Sequence, residues 1–501
     1  MINNFDSFSP NTPVIVGVGF SQVKSDNPLD CPEPYQMMLN AIRDAAADAG
    51  DSELPTQIES IAVQQGSWKY KNPGKLLAEA LGCGEAKSIL ADLGVLQLMP
   101  LFELCQAINE GQQHVGVVVG GESRYRDLRS QITQQPVADT LQSEDTPAPD
   151  VYYQIPDAFC SELETQRGIW APGEFYAIAE SALRYSQGIS IETHRDKLAA
   201  LYSAFSRIAA RNPHAWLQQA LSAEEIRNPS AKNAMIAFPF TKRMISQWNV
   251  NQAVAIIVCS LGRARELGLN QQHWIFPLSG ALTRHVVPLV QKRQLHTHPG
   301  AVLTGERALA LAGVSIDEIA AADVYSCFPS AIQSAKQDLK LPDSCPLSVT
   351  GTMAYAGGPY NHGALDAVAR MVEVLRAESD VTQRRIGLVS NISGMFGKHG
   401  VGLFSNCPNP QGYACDDVTP AIAAIEIPIP VDGNYTGPAT VVGYSVMYNK
   451  AEISHAIAYC DTPQSTRTVV RTSNKDLAER MTREEFCGRT IQVQADGDFY
   501  L

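Results

Sequence analysis

The chain has 501 residues, which is too long for one hydrophobic core and predicts roughly two to four domains. Its formal net charge of −13 argues against a nucleic-acid footprint, which would be basic. No apolar run reaches the roughly 20 residues that span a bilayer, and the first residues lack the basic and apolar regions of a signal peptide. We therefore expect a cytoplasmic protein without a membrane or nucleic-acid partner.

The cysteines and histidines do not form a recognisable metal or disulfide pattern. Eleven cysteines are scattered along the chain without a CxxC pair, which is typical of reduced thiols in a reducing compartment. The segment "HTHP" (His296–Pro299) places two histidines two residues apart, but no third ligand lies nearby in the sequence. We therefore interpret this segment as a loop and expect no metal.

Two parts of the chain repeat one order of predicted elements. A β-branched strand, a helix that ends at a glycine, a second strand, a short helix and a buried strand follow one another in the first part. Matching strands and alanine-rich helices recur later. The repetition predicts an internal duplication of two α/β halves, each a sheet covered by helices. The segments are Thr12–Val23, Tyr35–Gly50, Ile58–Ser67, Leu101–Gly111 and His114–Ser123, and then Trp274–Arg284, Gly305–Ser326, Leu365–Glu378 and Arg384–Gly394.

A long insertion, residues 124–248, separates the two halves. Its polar, proline-bearing beginning predicts a loop, and the apolar spacing that follows predicts helices. Residues 409–420 are rich in turn formers and predict a linker. Residues 421–501 alternate in short strands and predict a small β-barrel of the OB type, interrupted by one helix with Asn474 as its N-cap. The first half then comprises residues 1–123 and 249–270, and the second half comprises residues 271–408.

Three glycine-rich stretches resemble a known family. They are "VYSCFPSA" (Val324–Ala331), "GTMAYAGGPYNHGA" (Gly351–Ala364) and "GLVSNISGMFGKHGVG" (Gly387–Gly402). On these motifs the chain resembles the sterol-carrier-protein branch of the thiolase superfamily, in particular the thiolase-like proteins with an extra C-terminal domain. The resemblance covers nearly the whole chain. It implies a duplicated αβαβα sandwich whose helical loop domain, residues 124–248, covers the catalytic pocket and binds coenzyme A.

The resemblance also implies chemistry on acyl-CoA as a substrate, with no tightly bound cofactor. Its usual form is acetyl-CoA acetyltransferase activity in lipid metabolism. Lys242 and Arg243 in the loop domain are candidates for the coenzyme A phosphates, and for each alone a solvated helix charge is the favoured alternative. Thiolases usually pair through the core, which favours a homodimer. The C-terminal extension could instead cover that surface and leave a monomer.

The chain departs from the family where the nucleophile should lie. Thiolases place a cysteine at the start of the helix before the "GGES"-like strand, because the helix N-terminus lowers the thiol pKa. Counting back from that strand puts the slot at about Gly94, in "ADLGVLQLMP". Cys105 falls inside the helix and is expected to be a core residue. Pro100 suits a first helical turn and indicates that this helix begins late.

Two further departures affect the proton-transfer residues. Gly358, which follows Gly357, fills the position of the family histidine, and His362 lies four positions on, with Asn361 beside it. Asn391 and Gly394 stand where the family has its base cysteine motif, so His399 is the nearest group that titrates near neutral pH. We expect the backbone of Gly357, Gly358 and Gly394 to offer N–H donors to a thioester oxygen. Each histidine could also be a structural loop residue.

The best preserved motif is "YSCF", in which Cys327 and Phe328 match the family. Cys327 is the cysteine that we expect to be functional, with a half-buried structural thiol as the alternative. Tyr325 takes the position of the family oxyanion-binding residue, and the resemblance to acyl-CoA retro-aldolases implies that tyrosines act in this pocket; Tyr360 is a second candidate. The sequence therefore leaves three hypotheses open: an acyl-CoA enzyme without a covalent acyl-cysteine, a retro-aldolase that uses Tyr325, and a catalytically silent acyl-CoA-binding or scaffold protein.

Overall fold

The computed structural model describes residues 5–155, 159–377, 383–450 and 452–501. The N-terminal part alternates strands and helices, and every residue of its last strand is buried, as expected of a sheet covered on both faces. The first helix ends at Gly50, whose left-handed φ of 86° closes the helix as the sequence predicts. The elements are β1 (Pro13–Gln22), α1 (Pro34–Ala49), β2 (Ser60–Gln64), α2 (Pro73–Leu81), β3 (Lys87–Ala91), α3 (Met99–Asn109) and β4 (Val115–Ser123).

The insertion that follows is mainly helical. It leaves the first sheet after β4 and returns to it through a long, fully buried strand. Its elements are α4 (Arg124–Thr133), β5 (Val151–Tyr153), α5 (Glu162–Gln166), α6 (Pro172–Ser186), α7 (Ile191–Ala209), α8 (Ala223–Arg227), β6 (Met235–Ala237) and β7 (Phe240–Thr241), and the returning segment is β8 (Asn251–Ser260) and α9 (Leu261–Glu266).

The second half repeats the order of the first and adds one strand. The stretch predicted as a linker, residues 409–420, contains a strand that runs parallel to the first strand of this half, so the second sheet extends further than the sequence indicates. The elements are β9 (Phe276–Thr283), α10 (Pro299–Ala312), β10 (Ile319–Asp323), α11 (Pro329–Asp338), α12 (Gly363–Ala377), β11 (Ile386–Ser393), β12 (Lys398–Ser405) and β13 (Ala414–Asp417).

The two core sheets have matching topologies. In the described residues the first sheet has the order β1-β8-β4-β2-β3-β5, and the second has the order β13-β9-β12-β11-β10. The pairs β1–β8 and β8–β4 are antiparallel and β4–β2 is parallel. The pairs β9–β12, β12–β11 and β11–β10 repeat this pattern. The internal duplication predicted from the sequence is confirmed.

The helices form three layers around these sheets. Helices α3 and α12 contact strands of both sheets and supply a central apolar cluster that includes Phe102, Leu365 and Val368. Helix α1 packs on the outer face of the first sheet and α10 on the outer face of the second. This is the predicted αβαβα sandwich. Among the described residues, no helix combines the length and apolarity needed to cross a bilayer.

The C-terminal residues form an antiparallel sheet with its own apolar cluster. The two end strands of this sheet, residues 467–472 and 499–500, lie close together, and the Arg471 N–H donates to the Gly497 carbonyl at 2.9 Å. Closure into an OB-like barrel stays a prediction. Asn474 caps the predicted helix by accepting from the Leu477 N–H. The elements are α13 (Thr419–Ile425), β14 (Gly437–Asn449), β15 (Glu452–Asp461), β16 (Arg467–Thr472), α14 (Lys475–Met481), β17 (Thr490–Val493) and β18 (Phe499–Tyr500).

The C-terminal sheet is attached to the insertion rather than suspended on a linker. Strand β6 pairs with β14 at Ala237 and Met447, and helix α6 packs on β14. The buried guanidinium of Arg184 on α6 forms an ion pair with Glu485 and donates to the Tyr444 hydroxyl at 3.2 Å. The insertion is therefore held between the core and the C-terminal sheet.

Candidate functional site

Tyr325 and Cys327 lie together in the loop between β10 and α11. Because β10 runs parallel to β11, the loop after β10 lies beside β11, and the Tyr325 N–H donates to the Ser390 hydroxyl at 3.1 Å. Tyr325 remains partly exposed, whereas the exposed fraction of Cys327 is 9%. The two candidate residues thus differ in exposure, although burial raises the pKa of both side chains.

A buried amide orients the Tyr325 phenol. The Gln97 Oε1 accepts from the Ala364 N–H at 2.7 Å, so its NH₂ group is left to donate to the Tyr325 oxygen. Burial raises the pKa of Tyr325, and this hydrogen bond opposes the shift only in part. The phenol is therefore neutral near pH 7 and keeps its proton.

The thiol of Cys327 is buried and lies at the hydroxyl of Tyr176, which belongs to a group of packed aromatic rings. The Tyr176 hydroxyl on α6 donates to the thiol, and burial nevertheless raises the pKa of Cys327 to about 12. The Tyr176 ring stacks on Phe328 at 4.7 Å between centroids and lies 4.5 Å from the Phe396 ring. A thiol in this setting is protonated at neutral pH, and the thiolate is the nucleophilic form.

The slot of the family nucleophile is a turn at Gly94 that carries no side chain. Gly94 has a φ of +93°, and a Cβ there would overlap the side chain of Ile155. Its carbonyl accepts from the Ser393 hydroxyl at 2.7 Å and from Lys398 Nζ at 3.3 Å. The helix after it begins at Met99 with Pro100 in its first turn, as the sequence predicts. A longer residue at position 94 would have to displace its neighbours.

Neighbouring side chains occupy the space beside Gly357 and Gly358, the two glycines before Pro359. A Cβ on Gly357 would lie 2.9 Å from the Gln252 Cδ, and a Cβ on Gly358 would overlap the Ser246 hydroxyl. The Gly358 N–H donates to the Gln247 carbonyl at 2.9 Å. The expectation that this N–H would serve a thioester oxygen is therefore wrong, because backbone pairing already uses it.

His362 caps the N-terminus of α12 and lies against the first core sheet. A Cβ on Gly120 of β4 would lie 2.6 Å from the His362 Cγ. The His362 Nδ1 is 3.2 Å from Asp366 Oδ2. Neither ring nitrogen of His362 has a hydrogen-bond partner among the described residues. Asn361 beside it donates weakly to the Asp92 carbonyl at 3.4 Å. His362 is thus a buried imidazole with a nearby carboxylate.

His399 and Asn391 face a different, internal cavity. The His399 Nε2 lies 3.1 Å from the Phe396 carbonyl, and burial lowers the pKa of His399 to about 3. Asn391 accepts from the Leu98 N–H at 3.5 Å. Gly394, with a φ of +66°, lies against Phe159. His399 is thus neutral at physiological pH and packs beside His298, which is fully buried and belongs to the loop predicted for residues 296–299.

Lys242 and Arg243, the candidates for the coenzyme A phosphates, form no hydrogen bond with Tyr325 or Cys327 among the described residues. Lys242 is exposed, and the Arg243 N–H donates to the Asn233 side chain at 2.9 Å. The charge of Arg243 lowers the pKa of Tyr355, although burial raises it more. No metal-binding group of histidine, cysteine or carboxylate side chains occurs among the described residues.

Sequence reasoning missed Gln97, Tyr176 and Ser246. Gln97 is a single polar residue in the apolar run "VLQLMP", beside the Gly94 slot, and this isolation was a usable signal. Tyr176 comes from the insertion, and Ser246 precedes the returning strand. Nothing in the sequence places either of these two near Cys327.

Comparison with protein-family models found no match, and comparison with curated proteins found none either. Solved structures are similar. A monomeric SCP2-thiolase-like protein type 1 from Mycobacterium smegmatis shares 23% identity and a TM-score of 0.79, over 98% of this chain and 100% of that one. An Ltp2–ChsH2(DUF35) aldolase shares 18% identity and a TM-score of 0.58, over 79% of this chain and 98% of that one.

An acetyl-CoA acetyltransferase from Syntrophomonas wolfei is more distant, with 16% identity and a TM-score of 0.55 over 79% of this chain and 99% of its own. The first of these structures matches nearly the whole length of the chain, and the two others match about four fifths of it. These likenesses show that the chain has a thiolase-like fold. The expected resemblance in fold is confirmed.

Proposed function

We propose that this protein binds an acyl-CoA thioester and acts on it without a covalent acyl-cysteine. In this proposal Tyr325 donates its phenolic proton to the carbonyl oxygen that gains negative charge. The observation that carries the proposal is the Gln97–Tyr325 pair, because Gln97 supplies the phenol oxygen with a donor, so that in this proposal the phenol proton serves the bound thioester. A fixed donor of this kind stabilises an oxyanion or enolate in acyl transfer and in C–C bond chemistry.

The state of the other candidates supports a non-covalent reaction. Gly94 offers no nucleophile, and the raised pKa of Cys327, about 12, keeps its thiol protonated. The low pKa of His399 and the donation of its ring to the Phe396 carbonyl argue against it as the base. His362, with Asp366 nearby, is then our candidate for proton transfer. A retro-aldol cleavage of a β-hydroxyacyl-CoA needs this pair of roles and no acyl-enzyme.

The test compares wild type with Tyr325→Phe on acetoacetyl-CoA and on a β-hydroxyacyl-CoA. We expect kcat to fall about 10²- to 10³-fold with little change in KM, the usual effect of removing one oxyanion donor. Tyr185→Phe, which removes a half-exposed phenol on α6, is the control and should leave kcat unchanged. Turnover that is equal in wild type and Tyr325→Phe would exclude Tyr325 as the donor.

A silent acyl-CoA-binding role is the second candidate, and the packing around Cys327 favours it. The Tyr176 hydroxyl lies at the buried thiol and its ring packs against Phe328 and Phe396, and side chains fill the volume beside Gly357 and Gly358. Calorimetric titration with acetyl-CoA separates the two candidates. Binding without turnover of either substrate supports the silent role, and turnover excludes it.

A further inference from the structure

A small polar cavity lies between the glycine-rich loop, the ends of β1 and β8, and helix α12. Its volume is about 30 Å³, which is room for about two water molecules. Gln252, Asp366 and Arg370 line it, and each has a buried polar atom without a hydrogen-bond partner among the described residues. Such groups bind ordered water in protein interiors. We call this space the Asp366 cavity; its lining includes His214, Gln252, Ser326, Gly357, Asp366 and Arg370.

Asp366 adjoins both the cavity and His362. It lies one helical turn after His362, and its N–H donates to the His362 carbonyl at 3.1 Å. Its Oδ2 is 3.2 Å from the His362 Nδ1, and the exposed fraction rises from 1% for the His362 side chain to 22% for that of Asp366. A carboxylate in this position can accept a proton from the imidazolium and pass it to water.

The Asp366 cavity shares a wall with a surface groove of about 1020 Å³. Arg370 lines both spaces. Glu373 lines the groove, and its Oε1 lies 2.8 Å from the Nε2 of His214, which lines the cavity. The Arg370 guanidinium donates to Glu373 Oε2 at 2.6 Å. The side chains of His214 and Glu373 are each 28% exposed, so ionisable groups in contact with solvent separate the two spaces.

The positions of His214 and of a second carboxylate narrow the route. The His214 ring stacks on Phe20 with 3.7 Å between centroids, and Gln252 Nε2 donates to the His214 carbonyl at 3.2 Å. Asp323 also lines the cavity, but its Oδ2 accepts from both the N–H and the hydroxyl of Thr350, each at 2.9 Å. Asp366 is therefore the carboxylate of this lining that is free to carry a proton.

We infer that the Asp366 cavity holds water that carries protons between His362 and the groove, with Asp366 as the relay and the His214–Glu373 pair at the solvent end. This inference rests on the proposed function, in which His362 takes a proton from the bound thioester. When a C–H bond beside the thioester carbonyl breaks, its electron pair forms the enolate, whose oxygen accepts from Tyr325. The proton passes to His362 and then to Asp366. Cavity water takes it from Asp366 to His214, and the return of a proton uses the same groups in reverse.

The experiment measures exchange of the His362 ring proton with solvent, by NMR of the full chain labelled with ¹⁵N-histidine. The signal is assigned by its absence in His362→Gln. We expect Asp366→Asn to slow the exchange about a hundredfold, the value of a positioned acid–base group, and His214→Gln and Glu373→Gln to slow it by smaller factors. Asp366→Glu should exchange faster than Asp366→Asn, because it keeps the carboxylate. A purely structural role would favour asparagine, which has the size and shape of aspartate.

His273→Gln is the matched control. His273 lines the same groove, and its Nδ1 lies 3.5 Å from Asp48 Oδ1, but it does not belong to the cavity lining. Its variant should exchange at the wild-type rate. Equal rates in wild type and Asp366→Asn, or equal losses in His273→Gln and His214→Gln, would overturn the inference. Thermal unfolding identifies variants that fail to fold; if Asp366→Asn is one of them, Glu373→Gln, at a partly exposed pair, decides the point.

A second measurement separates this inference from the proposed function. Uptake of deuterium from D₂O into the methyl group of acetyl-CoA reports proton transfer to and from the bound thioester. Ring exchange that is slowed in Asp366→Asn, without deuterium uptake or turnover by wild type, would support the proton route and contradict the proposed function. Ring exchange that is unchanged in Asp366→Asn, with turnover that depends on Tyr325, would overturn the route and support the proposed function.

Discussion

The Ser246 hydroxyl occupies the space that a side chain at Gly358 would need, since a Cβ built on Gly358 would overlap the serine Oγ. Ser246 itself is held in place, because its N–H donates to the Cys327 carbonyl at 3.0 Å. Position 358 is where the resemblance places a thiolase histidine. The absence of that histidine is therefore coupled to a serine that comes from a different part of the chain.

Restoring a histidine at this position should destabilise the protein. We expect Gly358→His to lower the free energy of unfolding by about 1–3 kcal/mol, because the added side chain overpacks a filled space. Urea denaturation measures the change. The double variant Ser246→Gly/Gly358→His should recover part of the loss, and a double variant as unstable as Gly358→His alone would show that Ser246 is not the obstacle.

Gln97 should act through Tyr325 rather than on the substrate. Gln97→Leu removes the donor to the phenol and leaves the Ala364 N–H unpaired, so we expect stability to fall by about 1–3 kcal/mol and kcat to fall with it. In Gln97→Leu/Tyr325→Phe, kcat should be no lower than in Tyr325→Phe alone. Independent losses that multiply in the double variant would contradict a positioning role.

The duplicated core could be predicted from the sequence because each half carries its own local signals. Buried β-branched strands, amphipathic helices and glycine stops such as Gly50 depend on neighbours within a few residues. Pro100 and Asn474 likewise marked a helix start and a helix cap that the structure contains. Strand β13 was missed because an edge strand of four half-buried residues has almost no periodic pattern.

The candidate site could be predicted only in part, because its contacts join distant segments. The motifs located Tyr325, Cys327 and the glycines, but the partners of these residues are Gln97, Tyr176 and Ser246. Glycines at 357 and 358 suggested open backbone donors, whereas the structure uses their missing side chains to admit Gln252 and Ser246. A glycine in a sequence indicates that another part of the chain packs closely against the backbone at that position, but it does not identify the residue that does so.

Cys327 should resist alkylation at neutral pH. Burial raises its pKa to about 12, so at pH 7.5 almost all of the thiol is protonated and iodoacetamide should react first with the less buried Cys160. The Tyr176 hydroxyl stabilises the thiolate, so Tyr176→Phe should raise the pKa further and slow labelling of Cys327. Mass spectrometry of time points across pH 7–10 measures both. Labelling of Cys327 faster than Cys160 at pH 7.5 would contradict a buried protonated thiol.

The pH dependence of stability should carry a signature of His399. Burial lowers its pKa in the folded state to about 3, against roughly 6.5 in the unfolded chain. Between pH 3 and pH 6.5 the unfolded chain binds a proton at His399 that the folded protein does not bind. The contribution of His399 to the free energy of unfolding is therefore fully present above about pH 6.5 and is lost as the pH falls towards 3. The loss is at most about 1.4 kcal/mol per pH unit.

His399→Gln isolates this contribution, because glutamine does not titrate and can still donate to the Phe396 carbonyl. Burial also lowers the pKa of His298, which adds a loss of the same sign, and it raises the pKa of Asp338 to about 6, which opposes that loss below this pH. Both groups are present in the variant as well as in wild type. The difference between the two curves of unfolding free energy from pH 7 to pH 4 therefore reports His399 together with its charge coupling to His298, and we expect the variant to have the shallower slope. Parallel curves would mean that His399 binds its proton equally well in the folded and unfolded states.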